Sequence, residues 1–132
     1  NSIDKIFSLN QKVSEKLQGI QPAIIFDLQK YYPEAWAIME AHKSVFIYNQ
    51  VKENLVAGMK EGFYRDNLNP DIVAQIYVTL IDSIFDSKLF GKEPQSFVEL
   101  HTEVARYHIR GIASEKGVKY IQTLFQNKQD QI

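Results

Sequence analysis

The sequence predicts an all-α domain of six helices packed in a single unit. Three observations carry that reading. The four prolines fall where helices can begin, because proline suits a first helical turn whose N–H would be unpaired anyway. Apolar residues recur at three- and four-residue spacing through every long segment. No stretch alternates apolar and polar residues between turn signals, as a half-buried strand would.

The elements follow in order. The first helix spans about Ser2 to Gln18, and Ile3, Ile6, Phe7, Val13 and Leu17 give it a patchy apolar side. A shorter one runs from about Gln21 to Tyr31 with Pro22 in its first turn and Ile24, Ile25, Phe26 and Leu28 as its apolar residues. Asp27 interrupts that stretch. It either faces solvent between buried neighbours or is partly buried beside a lysine, arginine or tyrosine, where it would fix the polar end of a ligand. The third helix is long, about Pro33 to Glu61, with Gly62 as its stop. Ala35, Met39, His42 and Phe46 share a face early on. Tyr48, Val51, Leu55 and Met59 share another about half a turn away. The helix therefore bends near Ala41 to Ser44, or its halves face different neighbours.

Asn69 caps the fourth helix, which starts at Pro70 and Asp71 and ends near Leu89, with Gly91 in the turn that follows. Asp71, Gln75, Thr79, Asp82, Ser83 and Asp86 share one arc. Ile72, Val73, Ile76, Tyr77, Leu80, Ile81, Ile84 and Phe85 fill the rest, an apolar share wide enough to predict a central helix. The fifth helix covers about Gln95 to Ile112, just after Pro94. Glu99, Glu103, Arg106 and Arg110 form its charged strip, with Glu103 and Arg106 spaced to pair. Leu100, Val104, Tyr107 and Gly111 form an adjacent stripe. Phe97, His101, His108 and Ile112 widen it, and Val98, Ala105 and Ile109 widen it again. So broad an arc is expected to pack partly inward and partly on another chain. Ser114 caps the sixth helix, which runs to about Asn127, and the polar tail from Gln126 to Ile132 is expected to fray.

Composition bounds the function. Of 132 residues, 45% are hydrophobic and 23% charged, an ordinary globular balance with enough chain to bury a core. There is no cysteine, which excludes disulfides and thiolate metal sites. No apolar run approaches the ~20 residues that span a bilayer. No signal peptide is visible between Asn1 and Leu17, so a reducing, cytoplasmic setting is the default expectation. Fifteen basic residues meet sixteen acidic ones, for a net charge of -1, and no basic cluster stands out. By itself such a chain is not expected to hold nucleic acid.

Catalytic constellations do not stand out: no serine elbow, no histidine pair four apart, no phosphate-cradling glycine loop. His101 and His108 are separated by two helical turns, about 10 Å, too far to share one metal directly. His42 stands alone. Asp27, Glu40, His42 and His101 are the one group from which an active site could be imagined. The expectation is therefore no enzyme, no metal and no cofactor. Seven tyrosines, eight phenylalanines and one tryptophan leave two readings of the aromatics. Trp36, Phe46, Tyr48, Tyr77, Phe85 and Tyr107 either fill the core or line a cavity for an apolar or aromatic compound.

The segment from Gly58 to Val73 is the most distinctive. It reads as a helix stop, a short turn and a capped start, with Arg65 bridging the helix ends by pairing with Asp66, Glu61 or a terminal carbonyl. It resembles the junction between the third and fourth helices of the ligand-binding domain of TetR-family repressors. There, a glycine-terminated helix and an aromatic-arginine pair precede a capped helix of the kind seen from Asp71 to Ala74. Asp27 to Trp36 resembles the entry to the long central helix of Bacteroidetes-like members, and Tyr107 to Gly117 the hinge between their last two helices. The likeness runs from about Gly19 to Phe125. A whole family member begins with a helix-turn-helix head that this sequence does not contain.

The resemblance implies a TetR-type C-terminal effector domain that binds DNA only through that head. It also implies a homodimer formed by the last two helices of each subunit, a four-helix interface, with the first helix as connector to the head. The residues expected at the interface are Leu100, Val104, Tyr107, Gly111, Tyr120, Ile121 and Leu124. The expected pocket wall is Ile24, Asp27, Leu28, Met39, Phe46, Tyr77, Ile81 and His101, enclosing a small, largely apolar effector whose binding releases DNA. A helical dimerisation module with no effector is the main alternative.

Overall fold

Residues 1–90 and 96–126 are described by the computed structural model. Helix starts coincide with the caps and prolines of the sequence. The Asn1 side chain accepts from the Asp4 amide at 2.9 Å and opens α1 (Ser2–Gln18). Prolines open α2 (Pro22–Tyr31) and α3 (Pro33–Glu61). Asn69 accepts from the amides of Asp71 and Ile72 at 3.1 and 3.2 Å at the head of α4 (Pro70–Ser83). After a single turn, α5 (Ser87–Phe90), come α6 (Phe97–Ile112), capped by Ser96, and α7 (Glu115–Gln126), whose Gly117 amide is taken by the Ser114 hydroxyl. The six longer helices make the fold all-α, and no strand occurs among the described residues. None of the described helices is long and apolar enough to cross a membrane.

The fourth helix departs from the sequence reading, which carried it to Leu89. It stops at Ser83, and the backbone breaks over Ile84 to Asp86 before α5. Local side chains explain the stop. Ser83 Oγ donates back to the Leu80 carbonyl at 2.6 Å, and Asp86 accepts from the Lys88 amide at 2.8 Å, capping a new turn. The freed Phe85 carbonyl accepts from the Gln29 side chain of α2 at 2.9 Å. The expected features at Gly91, Pro94, Gln95 and Asn127, with the tail beyond, lie outside the described residues.

α3 and α4 run antiparallel around the turn that begins at Gly62, which takes a left-handed φ of 81°. Two carboxylates of α4's polar arc stitch the pair. Asp71 accepts from Tyr48 at 2.9 Å and pairs with Lys52 at 2.7 Å, while Asp82 accepts from Ser44 at 3.2 Å. Those partners hold the Asp71 carboxyl below its ordinary range, Lys52 first and Tyr48 next. α4 buries Ala74, Tyr77, Val78 and Ile81, but Ile72 and Ile76 are 58% and 51% exposed. The wide apolar arc therefore does not mean that one copy of the chain surrounds this helix. α3 is one uninterrupted helix whose two faces meet different surroundings. Tyr48, Val51, Leu55 and Met59 pack in the core, whereas Ala35, Met39, His42 and Phe46 are exposed.

The interior is two clusters rather than one. The first gathers Ile3, Ile6, Leu55, Tyr64, Ala74, Ile109 and Ile112, with Tyr120, Ile121 and Leu124 of α7 packed on its edge. The second gathers Leu17, Ile25, Ile84 and Phe97, with Leu28, Trp36, Phe85, Leu100 and Val104 around it. α1 reaches both, by its first turns and by its last.

Tyr64 joins the first cluster to the chain's polar framework. Its hydroxyl donates to Asn54 Oδ1 at 2.6 Å and lies 3.2 Å from the Ser2 carbonyl, which also accepts from the Asn54 amide at 3.0 Å. Tyr64 also bridges to Ala113, and the next amide, Arg65, donates to the Ile112 carbonyl at 2.8 Å. Arg65 does reach a terminal carbonyl, as its position suggested, but one on α6: Nε donates to Gly111 O at 2.9 Å, and Nη1 donates to Asn67. The ring of Tyr64 lies over Gly58, where any β-carbon would collide with it.

Tyr64→Phe leaves the buried Asn54 oxygen without its donor and is expected to cost about 1–3 kcal/mol. Gly58→Ala is expected to cost about 1–3 kcal/mol or more, through overpacking against that ring. Urea denaturation checks both as a lowered midpoint at unchanged slope.

Candidate functional site

α1 places polar residues where its own periodicity calls for apolar ones. On a helical projection Asn10 and Ser14 fall within the same arc as Ile3, Ile6, Phe7 and Leu17. Val13, which the sequence reading put on the apolar side, is instead 39% exposed. Between the turns of α1 that serve the two clusters, Phe7, Asn10, Gln11 and Ser14 form one wall of a cleft. Across it stand His101, Thr102, Ala105, Arg106 and Ile109 of α6. The cleft holds about 150 Å³ and is partly open to solvent.

Its polar groups are incompletely paired. His101 is only 3% exposed, and its Nδ1 has no hydrogen-bond partner. Burial lowers its pKa and favours the neutral ring. Arg106 gives Nη1 to Glu103 Oε1 at 2.8 Å on the outside, as the spacing predicted, but its Nε is buried and unpartnered. Thr102 spends its hydroxyl on the Val98 carbonyl at 2.7 Å. Arg106 is the single charged residue in the lining.

One helical turn pair further along α6, His108 is buried with Nε2 unpartnered, and its ring packs on Tyr77 at 4.5 Å between centroids. Burial pushes the His108 pKa down to about 4 and the Tyr77 phenol up to about 12. Two broader surface grooves of about 390 Å³ each lie elsewhere, one along Ile72 and Ile76, the other beside Trp36 and Phe85. Neither is lined by a buried polar atom lacking a partner.

Of the eight residues expected to wall a pocket, His101 alone lines the cleft. Tyr77 and Ile81 are buried on α4, and Leu28 packs in the second cluster. Ile24, Asp27, Met39 and Phe46 are exposed, because the parts of α2 and α3 that carry them turn those faces away from both clusters. Asp27 thus takes the solvent-facing alternative. At the expected dimer surface, Tyr107 is 73% exposed, and Gly111 is exposed with open space where a β-carbon would stand. Leu100 and Val104 pack on the second cluster; Tyr120, Ile121 and Leu124 pack on the first. Tyr120 also donates to Asp4 at 2.6 Å.

The group imagined as catalytic is dispersed: Asp27 and His42 are exposed, Glu40 pairs with Lys43 at 2.6 Å, and His101 belongs to the cleft. Among the described residues, no set of three histidines and carboxylates is placed to hold a metal ion. Asn10, Ser14, Gln11, Thr102 and Arg106 are the polar lining residues that sequence reasoning missed, and Phe7, Ala105 and Ile109 the apolar ones. The signal for the first two was present, as polar residues at inward positions of an otherwise apolar arc. Comparison of the chain with protein-family models, with curated proteins and with solved structures finds no match.

The buried histidines set a pH dependence. The folded pKa of His108 lies below the unfolded value of about 6.5, so the unfolded chain takes up the proton first as pH falls. Stability is full above about pH 6.5 and declines toward pH 4 by up to about 1.4 kcal/mol per unit for this group. His101, shifted in the same direction, adds to the slope. Denaturation midpoints across that range check it, and His108→Phe is expected to flatten the curve.

Proposed function

We propose that this chain is the effector-sensing and dimer-forming domain of a TetR-type transcriptional repressor, working in the cytoplasm, with no chemistry of its own. The observation that carries the reading is the α1/α6 cleft, lined by a buried imidazole whose Nδ1 has no partner. A buried polar group left unpaired costs stability, and a guest that pairs with it recovers that cost. The position of the cleft suits a sensor. It touches α1, the helix that the sequence resemblance makes the connector to a DNA-binding head. A molecule that prefers one spacing of α1 and α6 would shift the population of that spacing and so move the heads of a dimer. DNA contact would come through those heads.

The homodimer would use the outer faces of α6 and α7. Tyr107 and Val118, 73% and 43% exposed, support it as apolar groups in want of cover, with Gly111 giving room for close approach. Since Leu100, Val104, Tyr120, Ile121 and Leu124 already serve their own subunit in part, Tyr107 would anchor the contact. A second reading, a dimerisation module with no effector, has its own support: Leu28, Tyr77 and Ile81 are packed among the chain's own side chains.

Native mass spectrometry of freshly purified protein tests both. The expected spectrum is the mass of two chains with a retained small molecule. A dimer free of any guest, with no thermal shift in a screen of small compounds, favours the second reading. A lone monomer at micromolar concentration rejects both. Tyr107→Glu is expected to weaken the dimer by roughly tenfold or more, because it buries a charge without a partner. Sedimentation equilibrium checks it.

A further inference from the structure

We infer that the α1/α6 cleft selects small organic anions, specifically a planar apolar body carrying one carboxylate, over neutral molecules of the same shape. The inference rests on the reading of the cleft as the effector site and assigns that effector a chemical class. It departs from the sequence expectation of a largely apolar effector.

Charge is the first argument. No carboxylate lines the cleft, and its one charged group is the Arg106 guanidinium. Glu103 is 72% exposed at its side chain and engages Nη1 from the solvent side, which leaves the buried Nε–H free. A guanidinium N–H donates and never accepts. The atom that satisfies it is therefore an acceptor, and a carboxylate oxygen makes the stronger, charge-assisted bond.

His101 supplies the second argument. His101 Nδ1 and Arg106 Nε have almost no accessible surface, so a guest pairs with them only as those side chains turn toward the cleft; a neutral imidazole protonated at Nδ1 then donates to it. The anion's charge is thus balanced by Arg106 and not by the histidine. Asn10, Gln11 and Ser14 on the facing wall offer amide and hydroxyl donors to a second carboxylate oxygen. Phe7, Ala105 and Ile109 supply the apolar surface for the body. A cavity near 150 Å³ accommodates a benzene ring, and the open side of the cleft leaves room for its substituent.

Benzoate and its neutral isostere benzamide are the probes, each titrated into the full chain and followed by amide and imidazole nitrogen NMR. Benzoate is expected to bind roughly tenfold tighter than benzamide. The shifts should be centred on Phe7, Ala105, Ile109 and the His101 ring. Arg106→Gln should remove the preference, weakening benzoate more than benzamide. Glu103→Gln removes the carboxylate that competes for the guanidinium and should raise the preference; if Arg106→Gln fails to fold, a preference that does not rise in Glu103→Gln overturns the inference. Equal binding of the two probes, or a preference that survives Arg106→Gln, overturns the anion selectivity and leaves the effector site standing. Absence of cleft shifts with either probe at about 10 mM, the weak end for so small a ligand, overturns the inference. A guest retained in the mass spectrum would then keep the sensing role alive at another site.

Discussion

The packing of Tyr64 over Gly58 is the constraint on which the arrangement of helices rests. A full aromatic ring fits against α3 because position 58 has no side chain, and burial there pushes the phenol's proton affinity up. Once seated, the hydroxyl meets Asn54 and the Ser2 carbonyl, so α1 and α3 share one hydrogen-bonded corner. The neighbouring backbone then reaches the end of α6: Arg65 N to Ile112 O at 2.8 Å, and Ser114 N to Phe63 O at 2.9 Å. Four helices are located by one short turn. In a lower-dielectric corner such bonds polarise one another, and the loss of one member is felt by the rest.

The division of the interior into two clusters follows from the same geometry and gives the cleft its place. α1 is held near its start by the Tyr64 corner and near its end by Leu17 in the second cluster. Its middle spans the interval with Asn10 and Ser14 facing inward, residues that close-pack poorly against apolar neighbours. A gap with polar edges is the result. The middle of α1 is therefore the part of the helix that a molecule in the cleft would touch.

Much of this was legible in the residues. Caps and prolines located the helix starts at Asn69, Pro22 and Pro33, and Gly62 marked the end of α3, because each reflects a backbone valence that has to be met locally. The fourth helix was overextended because Ser83 and Asp86 act through bonds to nearby backbone, which a count of apolar spacing does not register. The pocket wall was less legible. Choosing apolar and aromatic residues such as Met39 and Phe46 assumed that greasy positions point inward. On α3, however, one face of a 29-residue helix serves the core and another does not, and only tertiary packing selects between them. Arg106 was read as half of a surface ion pair, and half of it is: the outer nitrogen is paired while Nε is buried without a partner.

The two crowded glycines differ in what obstructs them. At Gly58 the obstacle is a side chain, the Tyr64 ring, while at Gly117 it is the backbone carbonyl of Phe63. Position 58 can thus drift in evolution if position 64 shrinks with it, and related sequences should show the two covarying. No exchange of amino acids relieves a clash with a carbonyl that every residue carries. Position 117 has no compensating site, and it should stay glycine in every descendant that keeps this junction between helices.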